Sequence, residues 1–339
     1  MSELTPKLCE EAAYIASSTG LKALYVVRLF LSLLGLICMT FLIKKKGTSF
    51  IPNRSAKVLY IAHTYFSFHI SFFFLLLYVY QIYRTFVRSD DPCFYAIDAR
   101  LSALIRMAPG LGIQFQTSNM FTFALERGIS TLYPLKYEKI SKNYFGLVLI
   151  FVSKRHHTSA SLFQIVATLA LNIVAVYLPI KKNSYVSLLT ARNAQNADSS
   201  QLINNIPLGI ECATLVLFFA TCYLNKSRSA DKTNFSLGGK YQISENKKII
   251  GILLPCFVVH CLLNLFSYGA LSLYPWIYPE FNLVHNQVWI EVISQAQTYS
   301  IVLPIIVFVK TRRTSRVDVY NAETASKMHF RELNYLFNQ

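Results

Sequence analysis

The 339 residues are 53% apolar and 15% charged, with 33 Lys and Arg against 17 Asp and Glu, a formal charge of +16. Soluble domains average about 45–50% apolar and about 25% charged, so this balance excludes a disordered chain and argues against a soluble fold. Seven cysteines without a C-x-x-C pair give neither a disulfide scaffold nor a zinc module.

A hydrocarbon core about 30 Å thick is crossed by roughly 20 apolar residues of helix. Runs of that kind predict seven spans: Leu24–Ile43, Val58–Tyr83, Ile97–Leu125, Ser161–Ile180, Leu202–Leu224, Ile249–Leu271 and Gln287–Val309. The first run follows an acidic stretch (Glu3, Glu10, Glu11) and ends at Lys44, Lys45 and Lys46, the pattern of a retained anchor with its N-terminus outside rather than of a cleaved signal. The third run is the most polar. It carries Arg100, Arg106, Gln114, Gln116, Thr117, Asn119 and Thr122, which no lipid-facing helix could hide, so it is expected at the centre of the bundle. Spans five, six and seven each contain a proline (Pro207, Pro255, Pro304), which permits a kink. Before span four, Gly146–Val152 is interrupted by Ser153–Thr158. Residues 152–164 can be encoded with splice-donor and splice-acceptor sequences at their ends, and their removal keeps the frame, so a retained intron is one explanation and an interfacial inner loop the other.

The topology follows from charge. With the N-terminus outside, the inner segments 44–57, 126–160, 225–248 and 310–339 hold 23 Lys and Arg, and the outer segments hold 7. That bias obeys the positive-inside rule and puts the C-terminus inside. The expected organisation is an extracellular tail over 1–23, a seven-helix domain over 24–310 and a cytoplasmic tail over 311–339. The +16 then reports contact with anionic inner-leaflet lipid, and nucleic acid is not an expected partner. The glycosylation triplets at Asn53, Asn225 and Asn234 all fall on the inner side.

Enzyme motifs are absent: there is no H-E-x-x-H, G-x-S-x-G, Walker loop or dinucleotide fingerprint. The seven histidines are scattered. His63, His69 and His260 lie in spans and read as buried hydrogen-bonding groups, not metal ligands, and no cofactor is expected. Cys9 and Cys93 are the two cysteines assigned to the outer, oxidising side, so a Cys9–Cys93 bridge over the bundle mouth is expected, with two free thiols as the alternative.

Glu126-Arg127 stands at the inner end of span three, ahead of Tyr133-Pro134-Leu135-Lys136-Tyr137. An acid–arginine pair there can hold the cytosolic ends of spans three and six together, with Glu245 just before span six as a further partner; the alternative is an Arg127 that snorkels to the headgroups. Arg106 lies in the outer half of span three, Glu211 about as deep in span five, and Glu291 about a turn into span seven. Charges in spans cost about 2.5–3.5 kcal/mol on insertion scales and therefore face the bundle or a wet cavity. An Arg106–carboxylate pair, with Glu291 preferred to Glu211, is expected either to floor a polar pocket walled by Tyr268 and Trp289 or to fix helix packing alone.

The order of Cys9, Cys93-Phe94-Tyr95-Ala96-Ile97-Asp98, Glu126-Arg127 and Tyr133–Tyr137, over seven spans, resembles the nematode serpentine chemoreceptors of the Sra superfamily, class alpha or alpha/beta. The resemblance implies a G-protein-coupled receptor in the plasma membrane of sensory neurons or their cilia, with an environmental chemical as ligand and a heterotrimeric G protein as partner. Arg127 precedes Gly128 rather than an aromatic, span six lacks a tryptophan switch, and span seven lacks the usual Asn and Tyr. Details of the rhodopsin-like switch therefore do not transfer. The rival class is a seven-helix ligand-gated channel or transporter, which an inside N-terminus would favour; the sequence shows no internal repeat of the kind transporters carry.

Overall fold

The computed structural model describes residues 6–45, 51, 54–133, 197–230, 237–277 and 283–312, together with positions 170, 173, 177, 178, 180, 185 and 186. The stretch ahead of the first apolar run is itself helical, α1 (Pro6–Ser17). Ser18 interrupts it with an extended backbone and caps the next helix, α2 (Thr19–Lys44), by accepting from the Leu21 amide. α3 (Arg54–Phe86) follows, then a 3-10 turn (Pro92–Tyr95), the two-residue strand β1 (Ile97–Asp98) and α4 (Ala99–Leu132). β1 pairs antiparallel with β2 (Tyr185–Val186), Ile97 opposite Val186 and Asp98 opposite Tyr185. α5 (Ala197–Ala230), α6 (Leu237–Ile277), α7 (Leu283–Ile293) and α8 (296–312) complete the order.

The motif Cys93–Asp98 is a chain of local tasks. The Asp91 carboxylate accepts from the Cys93 amide and starts the 3-10 turn. Tyr95 donates its hydroxyl to the Val87 carbonyl at 3.0 Å, and its own carbonyl accepts from Arg84. Ile97 enters β1, and the Asp98 carboxylate accepts from the Arg100 and Leu101 amides at 3.0 and 2.9 Å, capping α4. Cys93 is disulfide-bonded to Cys9 of α1.

Among the described residues, five stretches are long and apolar enough to cross a membrane: Thr19–Lys44, Ala56–Phe86, Asn205–Arg228, Asn246–Tyr274 and Gln287–Arg312. Their outward faces carry side chains that water would not favour, among them Phe30 and Phe41 on α2, Phe72 and Tyr83 on α3, Phe219 and Tyr223 on α5 and Phe266 on α6. The polar residues lie inside instead. α4 shows why it fails the same apolarity test: Gln116, Thr117, Asn119, Glu126, Arg127 and Thr131 are all buried, and the helix packs against α3, α5 and α6.

Close approach of α4 to α3 depends on Gly112, where a Cβ would stand 2.7 Å from Ile70 Cγ1 and 2.8 Å from His69 Nδ1. Two large apolar clusters fill the interior among the described residues, beside a small one of Ala99, Ala103 and Ile180. One, near the disulfide, joins Ile15, Leu21 and Tyr25 to Phe74, Leu77, Tyr78 and Ala296. The other, around the far end of α4, joins Met39, Leu59, Met120 and Phe123 to Phe218, Leu253, Phe257 and Leu303.

Two departures from the sequence reading bear directly on the site. α4 continues seven residues beyond Leu125, because Glu126 and Arg127 find partners inside the bundle and need not leave it. The seventh apolar run is not one helix: residues 294 and 295 are non-helical between α7 and α8. The carbonyls freed at the break are taken up by donors on other helices. Nearly all of the fourth predicted span, the interruption at 152–164, the Tyr133–Tyr137 loop after its first residue and the tail from 313 on lie outside the described residues.

Candidate functional site

At the disulfide end, Arg106 of α4 and Glu291 of α7 form a buried ion pair through Nη2 and Oε1, their side chains 12% and 1% exposed. Burial of a carboxylate demands more than one donor. Glu291 has them: the Tyr78 hydroxyl donates to Oε2 at 2.6 Å and the Gln287 amide to Oε1 at 2.9 Å. Gln287 sits one turn earlier on α7, so Glu291 takes donors from its own helix, from α3 and from α4.

A second arginine, Arg28 of α2, is 4% exposed and approaches the same region. It donates to the carbonyls of Glu291 and Val292, the latter at 3.0 Å, and to Gln297 Oε1 at 3.3 Å. The next carbonyl, Ile293, accepts from the Ser267 hydroxyl of α6 at 2.7 Å. The last carbonyls of α7 have no acceptable intrahelical donor once the helix stops. Arg28 and Ser267 replace those donors, and this is how the break is satisfied within the bundle.

Glu211 does not share that level. Thr117 Oγ1 donates to Glu211 Oε1 at 2.8 Å, and Thr117 lies eleven residues beyond Arg106, about 16 Å of helix. α5 begins at Ala197, five residues before the expected start, which draws Glu211 deeper along the bundle than the sequence reading had it. Around it are Asn264, whose amide donates to Oε1 at 2.7 Å, and His260, whose Nδ1 lies 3.3 Å from Oε1. Tyr268 is buried on α6. Trp289 turns toward α6, its indole N–H donating to the Ala270 carbonyl at 3.2 Å and its ring 5.8 Å from that of Tyr274. Trp289 is two residues from Glu291, roughly 200° around the helix, so one side chain faces α6 when the other faces α3 and α4.

At the opposite end of α4, Arg127 and Glu126 are 1% and 0% exposed and make a two-point contact, Nε to Oε2 and Nη2 to Oε1. Such bidentate pairs combine direction with charge. Arg127 Nη1 also donates to Asn246 Oδ1 of α6 at 3.0 Å. Asn246 Nδ2 donates to Thr131 Oγ1, which lies 3.3 Å from Asn225 Oδ1 of α5. Arg228 of α5 donates to the Thr131 and Leu132 carbonyls that end α4. One network therefore ties the ends of α4, α5 and α6. Arg127 points into the bundle rather than outward, and its contact on α6 is Asn246; the side chain of the expected partner Glu245 lies outside the described residues.

Sequence reasoning missed Arg28, Tyr78, Gln287 and Asn246 as partners. Arg28, Tyr78 and Gln287 are polar residues within predicted apolar runs, which was the signal available, and Asn246 lies just before one among charged neighbours; none stands at a spacing that names its partner. A multi-pass membrane protein results, its interior crossed by polar layers and its surface apolar. The chain belongs to the serpentine type 7TM GPCR receptor class ab chemoreceptors, whose family model matches residues 7–339. It is similar to serpentine receptor class alpha/beta-14 of Caenorhabditis elegans, at 27% identity over 235 residues. The match covers 66% of this chain and 57% of that relative, little more than half its length.

Proposed function

We propose that the protein is a chemosensory receptor of the plasma membrane that binds an environmental small molecule and activates a heterotrimeric G protein. Its seven spans carry the N-terminus outside and the C-terminus inside, in a sensory neuron or its cilium. The observation that carries this reading is the network through Arg127, Glu126 and Asn246. It closes the inner ends of α4, α5 and α6 with hydrogen bonds that a partner can replace, so it supports a closed state whose opening exposes a cavity. The ligand site is assigned to the disulfide end, where Arg106 and Glu291 offer both signs of charge under α1.

The test is a G-protein activation screen in cells against a panel of volatile and water-soluble chemicals, with Arg127→Ala as control. An activating chemical whose signal disappears in Arg127→Ala, at unchanged surface expression, carries the reading. A chemical that gates ion current without G-protein activation overturns it in favour of a channel.

A further inference from the structure

Glu211 of α5 and His260 and Cys261 of α6 present a carboxylate oxygen, an imidazole nitrogen and a thiol whose ligand atoms all lie within 4.8 Å of one another. The three side chains are buried, at 0%, 1% and 0% exposure. No spacing rule joins them: Glu211 and His260 stand 49 positions apart, on either side of the α5–α6 connection.

We infer that Glu211, His260 and Cys261 form a binding site for a zinc-like transition metal ion that bridges α5 to α6. The donor types decide the class of ion. A thiolate with an imidazole favours Zn2+ and its relatives over Mg2+ or Ca2+, which take oxygen ligands. Bond lengths near 2.1 Å to N and O and near 2.3 Å to S place the ligand atoms of a tetrahedral site about 3.4–3.6 Å apart. The His260 imidazole already lies against the Glu211 carboxylate, Nδ1 3.3 Å from Oε1. Three protein ligands leave a fourth position for water.

Two further observations point the same way. Glu211 Oε2 is buried and accepts no hydrogen bond from the described residues, and a carboxylate oxygen in that state calls for a cation or a donor. The other oxygen, Oε1, is oriented by Thr117 Oγ1 at 2.8 Å and Asn264 Nδ2 at 2.7 Å. The His260 ring packs edge-on against Tyr299 at 4.8 Å. Outer contacts of this kind fix the direction of metal ligands. The Cys261 thiol binds as thiolate, so its proton leaves to solvent as the ion enters, and affinity rises with pH.

The experiment uses full-length receptor purified in detergent, in a Cys38→Ala/Cys212→Ala/Cys222→Ala background that leaves Cys256 and Cys261 as its reduced thiols. Titration with Co2+ is expected to give one bound ion and a thiolate-to-cobalt charge-transfer band in the near ultraviolet. Cys261→Ser abolishes the band, whereas Cys256→Ser keeps it. Glu211→Gln and His260→Asn each weaken Zn2+ binding by at least about tenfold. X-ray absorption on the Zn2+-loaded background protein needs no ligand variant and is expected to show one sulfur and two or three nitrogen or oxygen neighbours. A first shell without sulfur, or with two sulfurs, overturns the site. So does the absence of both the cobalt band and any Zn2+-dependent rise in Tm. Neither outcome touches the receptor reading, which rests on Arg127.

Discussion

Removing Arg106 leaves the Glu291 carboxylate buried at 1% exposure with only neutral donors, Tyr78 and Gln287. Deleting one partner of a buried pair costs about 3–5 kcal/mol. Two donors remain on the carboxylate, each worth about 1.5–3 kcal/mol to a charged acceptor, so Arg106→Met is placed at the low end, about 3 kcal/mol, or roughly a hundredfold in the folded-to-unfolded ratio. Glu291→Gln keeps the shape and an acceptor for Tyr78 but strips Arg106 of its acid, and costs a similar amount. The double variant buries neither charge. It is expected to cost less than either single change, a coupling of at least about 3 kcal/mol. Fluorescence-detected melting of detergent-solubilised receptor and surface labelling in cells read both quantities. The reasoning is refuted if the two single costs simply add, or if Arg106→Met melts and expresses like the parent. Exchanging the two charges, Arg106→Glu with Glu291→Arg, is not expected to rescue: an arginine at 291 meets the Tyr78 and Gln287 donors and lies beside Arg28.

Four other outcomes are expected. An epitope tag after Met1 is stained on unpermeabilised cells; staining only after permeabilisation reverses the topology. Cys9 and Cys93 resist alkylation until reduction, and Cys9→Ser lowers stability by about 2–4 kcal/mol through the loop it opens; labelling of both thiols before reduction refutes the bridge. Gly112→Leu places atoms where Ile70 and His69 already stand and destabilises by about 1–3 kcal/mol, read as loss of surface receptor. Asn246→Ala frees Arg127 from α6 and raises ligand-independent G-protein activity; basal signalling at or below the parent level contradicts the closing role of the network.

What the sequence made legible was the part that a bilayer dictates. Long apolar runs predicted the helices around α2, α3, α5 and α6, and the polarity of α4 predicted its central place, since lipid leaves no other for Gln116 or Asn119. The Arg106–Glu291 contact was readable because two opposite charges in spans have few places to go. Depth was less readable. Glu211 was placed level with Arg106 by counting from an assumed helix start, and a helix that begins five residues earlier carries it down to Thr117. The break at 294–295 was hidden because Ser294 and Gln295 are ordinary helix residues in sequence; what stops the helix is tertiary, the donors Arg28 and Ser267 waiting on α2 and α6.

That break has an electrostatic meaning. Each helix carries about half a positive charge at its N-terminus and half a negative charge at its C-terminus. Stopping the seventh apolar run at Ile293 creates an extra negative pole in the middle of the bundle, and the Arg28 guanidinium sits on it, bonded to the carbonyls of Glu291 and Val292. An arginine in the first span is thereby neutralised by backbone, with the Gln297 amide oxygen as its side-chain acceptor. The two features stand or fall together. Were the helix to run straight through, its carbonyls would turn back to their own amides and Arg28 would lose its counter-charge. Any motion that straightens the seventh run must therefore also displace the first span.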